Sequence, residues 1–190
     1  MERSSIDWRL SNRGITILMI HVDISKCTGC RSCETACSFY HTGKVSNRLA
    51  RIKVMHLYEI GIDGPVVCCQ CEERFCMNCP VSAMTVGKLG EIVVAPTICN
   101  RCGSCARLCP IGAIELYDNF VYVCDLCGGR PKCVEACPEG AITFDQDSAL
   151  HPSFSDIKEQ SIKLNISERR RSYIEHKGTR IRQLWSEHHE

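Results

Sequence analysis

The chain has 190 residues, a formal net charge of +1 and 24% charged residues. That leaves room for one compact domain with an appendage and argues against a strongly basic nucleic-acid binder. Cysteine is the departure, at 17 of 190 residues, a density that means either a disulfide scaffold or a metal protein.

An odd count, a long chain and no secretory segment ahead of the first cysteine weigh against disulfides. The one apolar run near the start, Ile15 to Ile20, is too short for a signal core or a membrane span. A cytoplasmic compartment is expected, where reduced thiols can bind metals.

In chain order, the first 20 residues show little pattern. CTGCRSCETAC then carries Cys27, Cys30, Cys33 and Cys37. An insertion, RIKVMHLYEIGIDGPVV, reads as a β-hairpin with Asp63-Gly64 near its turn. The second group is Cys68, Cys71, Cys76 and Cys79, the third Cys99, Cys102, Cys105 and Cys109, and the fourth Cys124, Cys127, Cys133 and Cys137. Such an internal repeat sets the architecture.

Groups two to four end in Cys-Pro followed by PVSAMTV, PIGAIEL or PEGAITF, each read as a turn and a short strand. Leu89-Gly90 and Asp118-Asn119 mark hairpin tips beside EIVVA and FVYV. After about Asp145 the cysteines stop, and residues 156–189 read as helix with a break near Gly178. Ile166, Tyr173, Ile174, Ile181, Leu184 and Trp185 recur there at helical spacing, an apolar stripe expected to dock a partner subunit. The alternative is that the helix folds back over the chain's own clusters.

The spacing carries the chemistry. In C-x2-C-x2-C a curled loop can bring three thiolates to one [4Fe–4S] cube, while the fourth cysteine of the run ligates the other cluster of a pair. Groups one and three match this run, with Pro110 after Cys109 and Ser38 in the place of proline after Cys37. Groups two and four stretch the loop to C-x2-C-x4-C and C-x2-C-x5-C, and Cys76 to Cys79 is one residue shorter than its siblings. Structural zinc uses two cysteine pairs across a longer loop, which a C-x2-C-x2-C triple is too tight to provide.

Cys69 is the spare thiol, read as a small residue packed beside Cys68. No histidine has ligand spacing with another ligand type, and Arg169-Arg170-Arg171 reads as a solvated helix face, since residues 151–190 mix eight basic with six acidic side chains. No catalytic triad, phosphate loop or dinucleotide fingerprint occurs. The chain alone is therefore not expected to be catalytic.

Residues 22–145, about two thirds of the chain, resemble the four-cluster ferredoxin-like electron-transfer subunits that accompany molybdenum and tungsten enzymes, some hydrogenases and carbon monoxide dehydrogenases. CTGCRSCETACSFYHTG, SNRLARIKV and VCDLCGGRPKCVEACP are most similar to the small subunits of the aldehyde oxidoreductase family, which includes the tungsten benzoyl-CoA reductases. The resemblance implies four [4Fe–4S] clusters and nested pairing of the groups. One cluster would take Cys27, Cys30, Cys33 and Cys137, and a second Cys124, Cys127, Cys133 and Cys37. A third would take Cys68, Cys71, Cys76 and Cys109, and a fourth Cys99, Cys102, Cys105 and Cys79. The short Cys76–Cys79 step departs from the family pattern and bears on that last set.

The expected fold is α+β, a duplicated bicluster ferredoxin-like fold with an inserted β-hairpin. Residues 1–21 form an N-terminal extension, 22–145 the cluster domain and 146–190 a helical C-terminal appendage. The expected function is electron transfer to or from a catalytic tungsten or molybdenum subunit, with a further electron-transfer subunit or ferredoxin as a second partner and no nucleic acid or membrane span. A subunit of a carbon monoxide dehydrogenase, formate dehydrogenase or hydrogenase, or a stand-alone polyferredoxin, is the alternative.

Overall fold

The computed structural model describes residues 18–145 and 151–187. Four two-stranded antiparallel sheets and five α-helices are described, an α+β arrangement. Strand β1 (Met19–Val22) pairs with β8 (Ile142–Asp145), Met19 opposite Asp145 and Val22 opposite Ile142. The rest are hairpins: β2 (Lys53–Leu57) with β3 (Ile62–Val66), β4 (Met84–Val86) with β5 (Ile92–Val94), and β6 (Glu115–Tyr117) with β7 (Phe120–Tyr122).

The helices are α1 (Ser32–Thr42), α2 (Ser104–Leu108), α3 (Lys132–Glu135), α4 (Ser155–Ser161) and α5 (Ile166–Glu187). α1 packs on α3, and α2 on the 3₁₀ turn Phe75–Met77, so groups one and four share one half of the molecule and groups two and three the other. The β1–β8 ladder clamps the first half shut. Met19, Ile20 and His21, placed by sequence in the extension, supply its first strand.

The core is built around sulfur. One apolar cluster gathers Cys33, Cys37, Cys124 and Cys133 among Leu18, Ile20, Ile52 and Leu126. Another gathers Cys76 and Cys105 with Met84, Ile92 and Ile114. A third joins the β2–β3 hairpin to α5 through Leu57, Ile62, Phe154 and Ile174 and contains no fully buried cysteine.

Two of the expected hairpin tips stand: Asp118 and Asn119 both take positive φ (47° and 62°), and a turn closes from Gly87 to Gly90. The turn at Asp63-Gly64 does not. His56 lies opposite Asp63 and Met55 opposite Gly64, which puts both residues inside β3. The reversal is at Tyr58 to Gly61, where Gly61 has φ +60° and its amide donates to the Tyr58 carbonyl. Gly64 instead allows close approach, because a Cβ there would lie 2.8 Å from Ile174 Cδ1 and 2.9 Å from Ile24 Cγ2.

The C-terminal helix breaks elsewhere than expected. α5 runs unbroken through Gly178, and the interruption lies between Ser161 and Ile166. There Asn165 and Glu168 cap reciprocally: the Glu168 amide donates to Asn165 Oδ1 (2.9 Å) and the Asn165 amide to Glu168 Oε2 (2.7 Å). Gly178 serves packing, since a Cβ would sit 3.1 Å from Ile62.

The stripe faces inward. Ile174 is fully buried, Tyr173 and Ile181 pack against the third core cluster, and Ile166 against the cysteine-bearing second half. Leu184 is 47% exposed, and the Trp185 side chain lies outside the described residues. Arg169 and Arg170 are buried rather than solvated, and only Arg171 keeps an exposed position, paired with Glu59 at 3.1 Å. Among the described residues, no helix is long and apolar enough to cross a membrane.

Candidate metal centre

Four loops curl through residues of positive φ: Gly29 and Arg31 in the first, Gln70 and Arg74 in the second, Arg101 and Gly103 in the third, and Leu126 to Gly129 in the fourth. The position two after the first cysteine takes positive φ in every run, as Gly29, Gln70, Arg101 and Leu126, although non-glycine residues are uncommon in this region.

The turn after the fourth cysteine of a run depends on proline. Pro110 holds Cys109 extended (φ −74°, ψ 113°), ending α2, and the chain doubles back so that the Ala113 amide donates to Cys109 Sγ at 3.3 Å. After Cys79-Pro80 the Ala83 amide reaches Cys79 Sγ at 3.4 Å in the same way. Ala83 and Ala113 are both buried. Group one has Ser38 instead, so α1 continues to Thr42, and the donor to Cys37 Sγ comes from the Arg51 amide at 3.2 Å.

The thiols gather in four sets. Cys27, Cys30, Cys33 and Cys137 line one cavity. Burial pushes the Cys27 thiol up against a hydrogen bond from Gly29, with Asp63, Cys30 and Cys137 adding to the rise. Cys30 is exposed and held low by the Ser32 hydroxyl, 3.4 Å from its sulfur.

In the second set Cys124 faces Cys133 and Cys37, and Cys37 faces Cys127; burial takes Cys133 to about 12. In the third, Cys68, Cys71 and Cys76 all face Cys109, and burial takes Cys68 to about 12 and Cys71 to about 11. In the fourth, Cys105 faces Cys99 and Cys79, so the short Cys76–Cys79 step leaves Cys79 beside that set, and Cys102 is exposed.

Neighbouring sets lie within electrostatic reach of one another: Cys33 of Cys133, Cys124 of Cys68, and Cys76 of Cys105. Buried thiols that resist ionisation this strongly are poor free nucleophiles, and only bound metal makes their thiolates favourable. Grouped sulfurs, backbone amides donating to sulfur and curled loops together fit [4Fe–4S] clusters.

Three groups escaped the sequence reading. His41 Nε2 lies 3.7 Å from Cys127 Sγ and 3.4 Å from Asp125 Oδ1, a juxtaposition of residues 86 apart that no spacing rule could show. Arg169 donates to the carbonyls of Ala106, Arg107 and Cys109 (2.9, 2.7 and 3.2 Å), the open end of α2, and to those of Ser161 and Leu164. Arg170 donates to Gly112 O at 2.8 Å and to Glu115 at 3.0 Å. Cys69 lines a separate cavity with Tyr173 and Lys177 under α5, and burial raises its thiol strongly.

Two family models, each for a 4Fe-4S binding domain, match residues 19–42 and 92–115, which hold groups one and three. The polyferredoxin-like subunit of the aliphatic sulfonate oxidoreductase of Pyrococcus furiosus is 42% identical over 126 residues, covering 64% of this chain and 72% of that one. The chain belongs to the 4Fe-4S electron-transfer subunits of oxidoreductases. The B subunit of the anaerobic dimethyl sulfoxide reductase of Escherichia coli is a more distant relative of this 4Fe-4S subunit, at 32% identity over 72% of this chain and 77% of that one. Among solved structures, the BamBC complex of benzoyl coenzyme A reductase matches at 23% identity over 72% of this chain and 82% of that one, with a TM-score of 0.43.

Proposed function

We propose that this electron-transfer subunit carries four [4Fe–4S] clusters on sixteen of its 17 cysteines and relays electrons to or from a tungsten or molybdenum subunit of the aldehyde oxidoreductase type. The ligand sets are the nested ones, Cys27, Cys30, Cys33 with Cys137; Cys124, Cys127, Cys133 with Cys37; Cys68, Cys71, Cys76 with Cys109; and Cys99, Cys102, Cys105 with Cys79. When bound, the clusters supply one-electron redox chemistry.

The observation that supports this reading is the electrostatic coupling from one thiol group to the next, with the exposed cysteines, Cys30 and Cys102, in opposite halves. The protein's part is to hold the sets in order and present Cys30 and Cys102 to redox partners. At the Cys102 end, Ile98 and Phe120 are exposed beside a cleft that Cys99 and Phe120 line, a surface suited to a protein contact. The relative from Pyrococcus furiosus, a subunit of an oxidoreductase by name, supports a catalytic partner.

Anaerobic purification followed by iron and acid-labile sulfide assay should give about sixteen of each per chain. Half that value would overturn the four-cluster reading. Affinity purification from the native host should bring down a subunit containing tungsten or molybdenum, and an exclusively metal-free or nickel-containing partner would refute that assignment.

A further inference from the structure

Groups two to four have proline after their last cysteine, whereas group one has Ser38. Helix α1 therefore runs on to Thr42 and carries His41 one turn beyond Cys37, on the same face. The ring is nearly enclosed, its side chain 10% exposed. Its Nε2 stands 3.7 Å from Cys127 Sγ and 3.4 Å from Asp125 Oδ1. The Tyr40 ring meets it edge-on, the centroids 5.0 Å apart.

Asp125 holds this corner together. Its Oδ1 accepts from the Cys127 amide at 3.1 Å, and its Oδ2 pairs with the Arg51 guanidinium. The Arg51 amide in turn donates to Cys37 Sγ at 3.2 Å. One carboxylate thus fixes the fourth cysteine loop and faces the imidazole. A carboxylate oxygen and a cluster-bound thiolate sulfur both accept hydrogen bonds, and neither donates. Both are satisfied only when Nε2 carries a proton, because the tautomer follows the partners of each ring nitrogen. The other sets are met differently: Cys30 has the Ser32 hydroxyl beside it, and Cys79 and Cys109 accept from backbone amides.

We propose that His41 donates a hydrogen bond from Nε2 to the Cys127 thiolate and raises the potential of the cluster held by Cys124, Cys127, Cys133 and Cys37. An electron taken up from a redox partner adds negative charge that the thiolates share. The imidazole N–H stabilises that charge more than it stabilises the oxidised state, and hydrogen bonds to sulfur are one of the levers that set such potentials. Asp125 is the positioning residue, since it holds both the ring and the Cys127 loop. The inference rests on the ligand sets proposed above and adds a side chain that tunes one of them.

The test is a redox titration of the cluster-loaded protein followed by paramagnetic resonance, wild type against His41→Leu and His41→Gln, with iron measured on each. The signal to follow is the one that Cys127→Ser alters. In His41→Leu its midpoint should fall by about a threefold change in the one-electron equilibrium, roughly 28 mV at 59 mV per tenfold, while the others hold. His41→Gln, whose side-chain amide can place an N–H where Nε2 stood, should stay near wild type. With histidine nitrogen isotopically labelled, pulsed resonance should find a ring-nitrogen coupling on the same signal in wild type and none in His41→Gln. An unchanged midpoint in His41→Leu, or equal shifts in the two variants, would overturn the hydrogen bond. Where His41→Leu loses iron, the labelled wild type decides, and a missing nitrogen coupling overturns the proposal. Should Cys127→Ser leave every signal unaltered, the ligand set itself falls, a distinguishable failure.

Discussion

At the scale of single residues, neighbouring arginines in one run have opposite roles. Arg169 satisfies five carbonyls from inside the protein, three of them at the end of α2 beside Cys109. Arg171 makes one exposed pair with Glu59. Arg169→Ala should cost roughly 3 kcal/mol, because buried acceptors lose charge-assisted donors and gain none. Arg171→Ala should leave the denaturation midpoint where it is, as exposed ion pairs contribute little. Urea denaturation of the two variants checks the contrast, and equal effects would show that Arg169 is no clasp. Sequence could not separate them, since charged side chains are almost never buried and their default reading is solvent. The exception is made by open carbonyls in a loop 60 residues away. The Ala at the fourth position after Cys79 and Cys109 was visible in sequence as a repeat, but its reason, an amide within reach of sulfur, is a fact of the turn.

At the scale of elements, hairpins were legible where turn chemistry is local. Asp118-Asn119 both adopt left-handed backbone, which Asn and Asp tolerate, and the tip fell where it was expected. Asp63-Gly64 carries the same composition inside a strand because Gly64 must admit Ile174 from α5, a demand made by tertiary packing. Gly178 misled in the same direction: it read as a helix break and is a contact. The true break was written as Asn165-Ile-Ser-Glu168, a capping box, and went unread. Gly178→Ala should be close to neutral, since up to about 1 kcal/mol of helix propensity offsets a 3.1 Å approach to Ile62. Gly178→Leu should destabilise by about 1–3 kcal/mol by prising α5 from β3. Thermal melts of both variants test this, and a neutral Leu would mean the interface yields freely.

At the scale of the whole molecule, the sequence showed that four cysteine runs repeat, and the fold adds that runs one and four share one half and runs two and three the other. If the nested ligand sets hold, Cys37→Ser should alter the same resonance signal as Cys127→Ser, and Cys137→Ser the same as Cys30→Ser; shared signals between Cys37→Ser and Cys71→Ser would refute nesting. What the sequence could not show is where the C-terminal helix goes. Its stripe, from Ile166 to Trp185, reads as a docking face with a lid as the alternative, because periodicity identifies an apolar face and not its partner. The fold seats Tyr173, Ile174 and Ile181 on Leu57, Ile62, Ile111 and Phe154 of the same chain, and Ile166 on the second half. Each large apolar side chain so buried contributes about 1.5–3 kcal/mol, and whole domains are stable by only about 5–15. Deleting residues 156–190 should therefore uncover this face and release the carbonyls of Ala106, Arg107, Cys109 and Gly112 that Arg169 and Arg170 hold. Cysteines of groups two and three lie beneath that helix, whereas groups one and four are clamped by the β1–β8 ladder. Iron should then be lost preferentially from the second half, leaving about half of the wild-type content with the signals of Cys30 and Cys127 intact. A truncated protein that keeps all its iron and loses only its partner would restore the docking role to the helix.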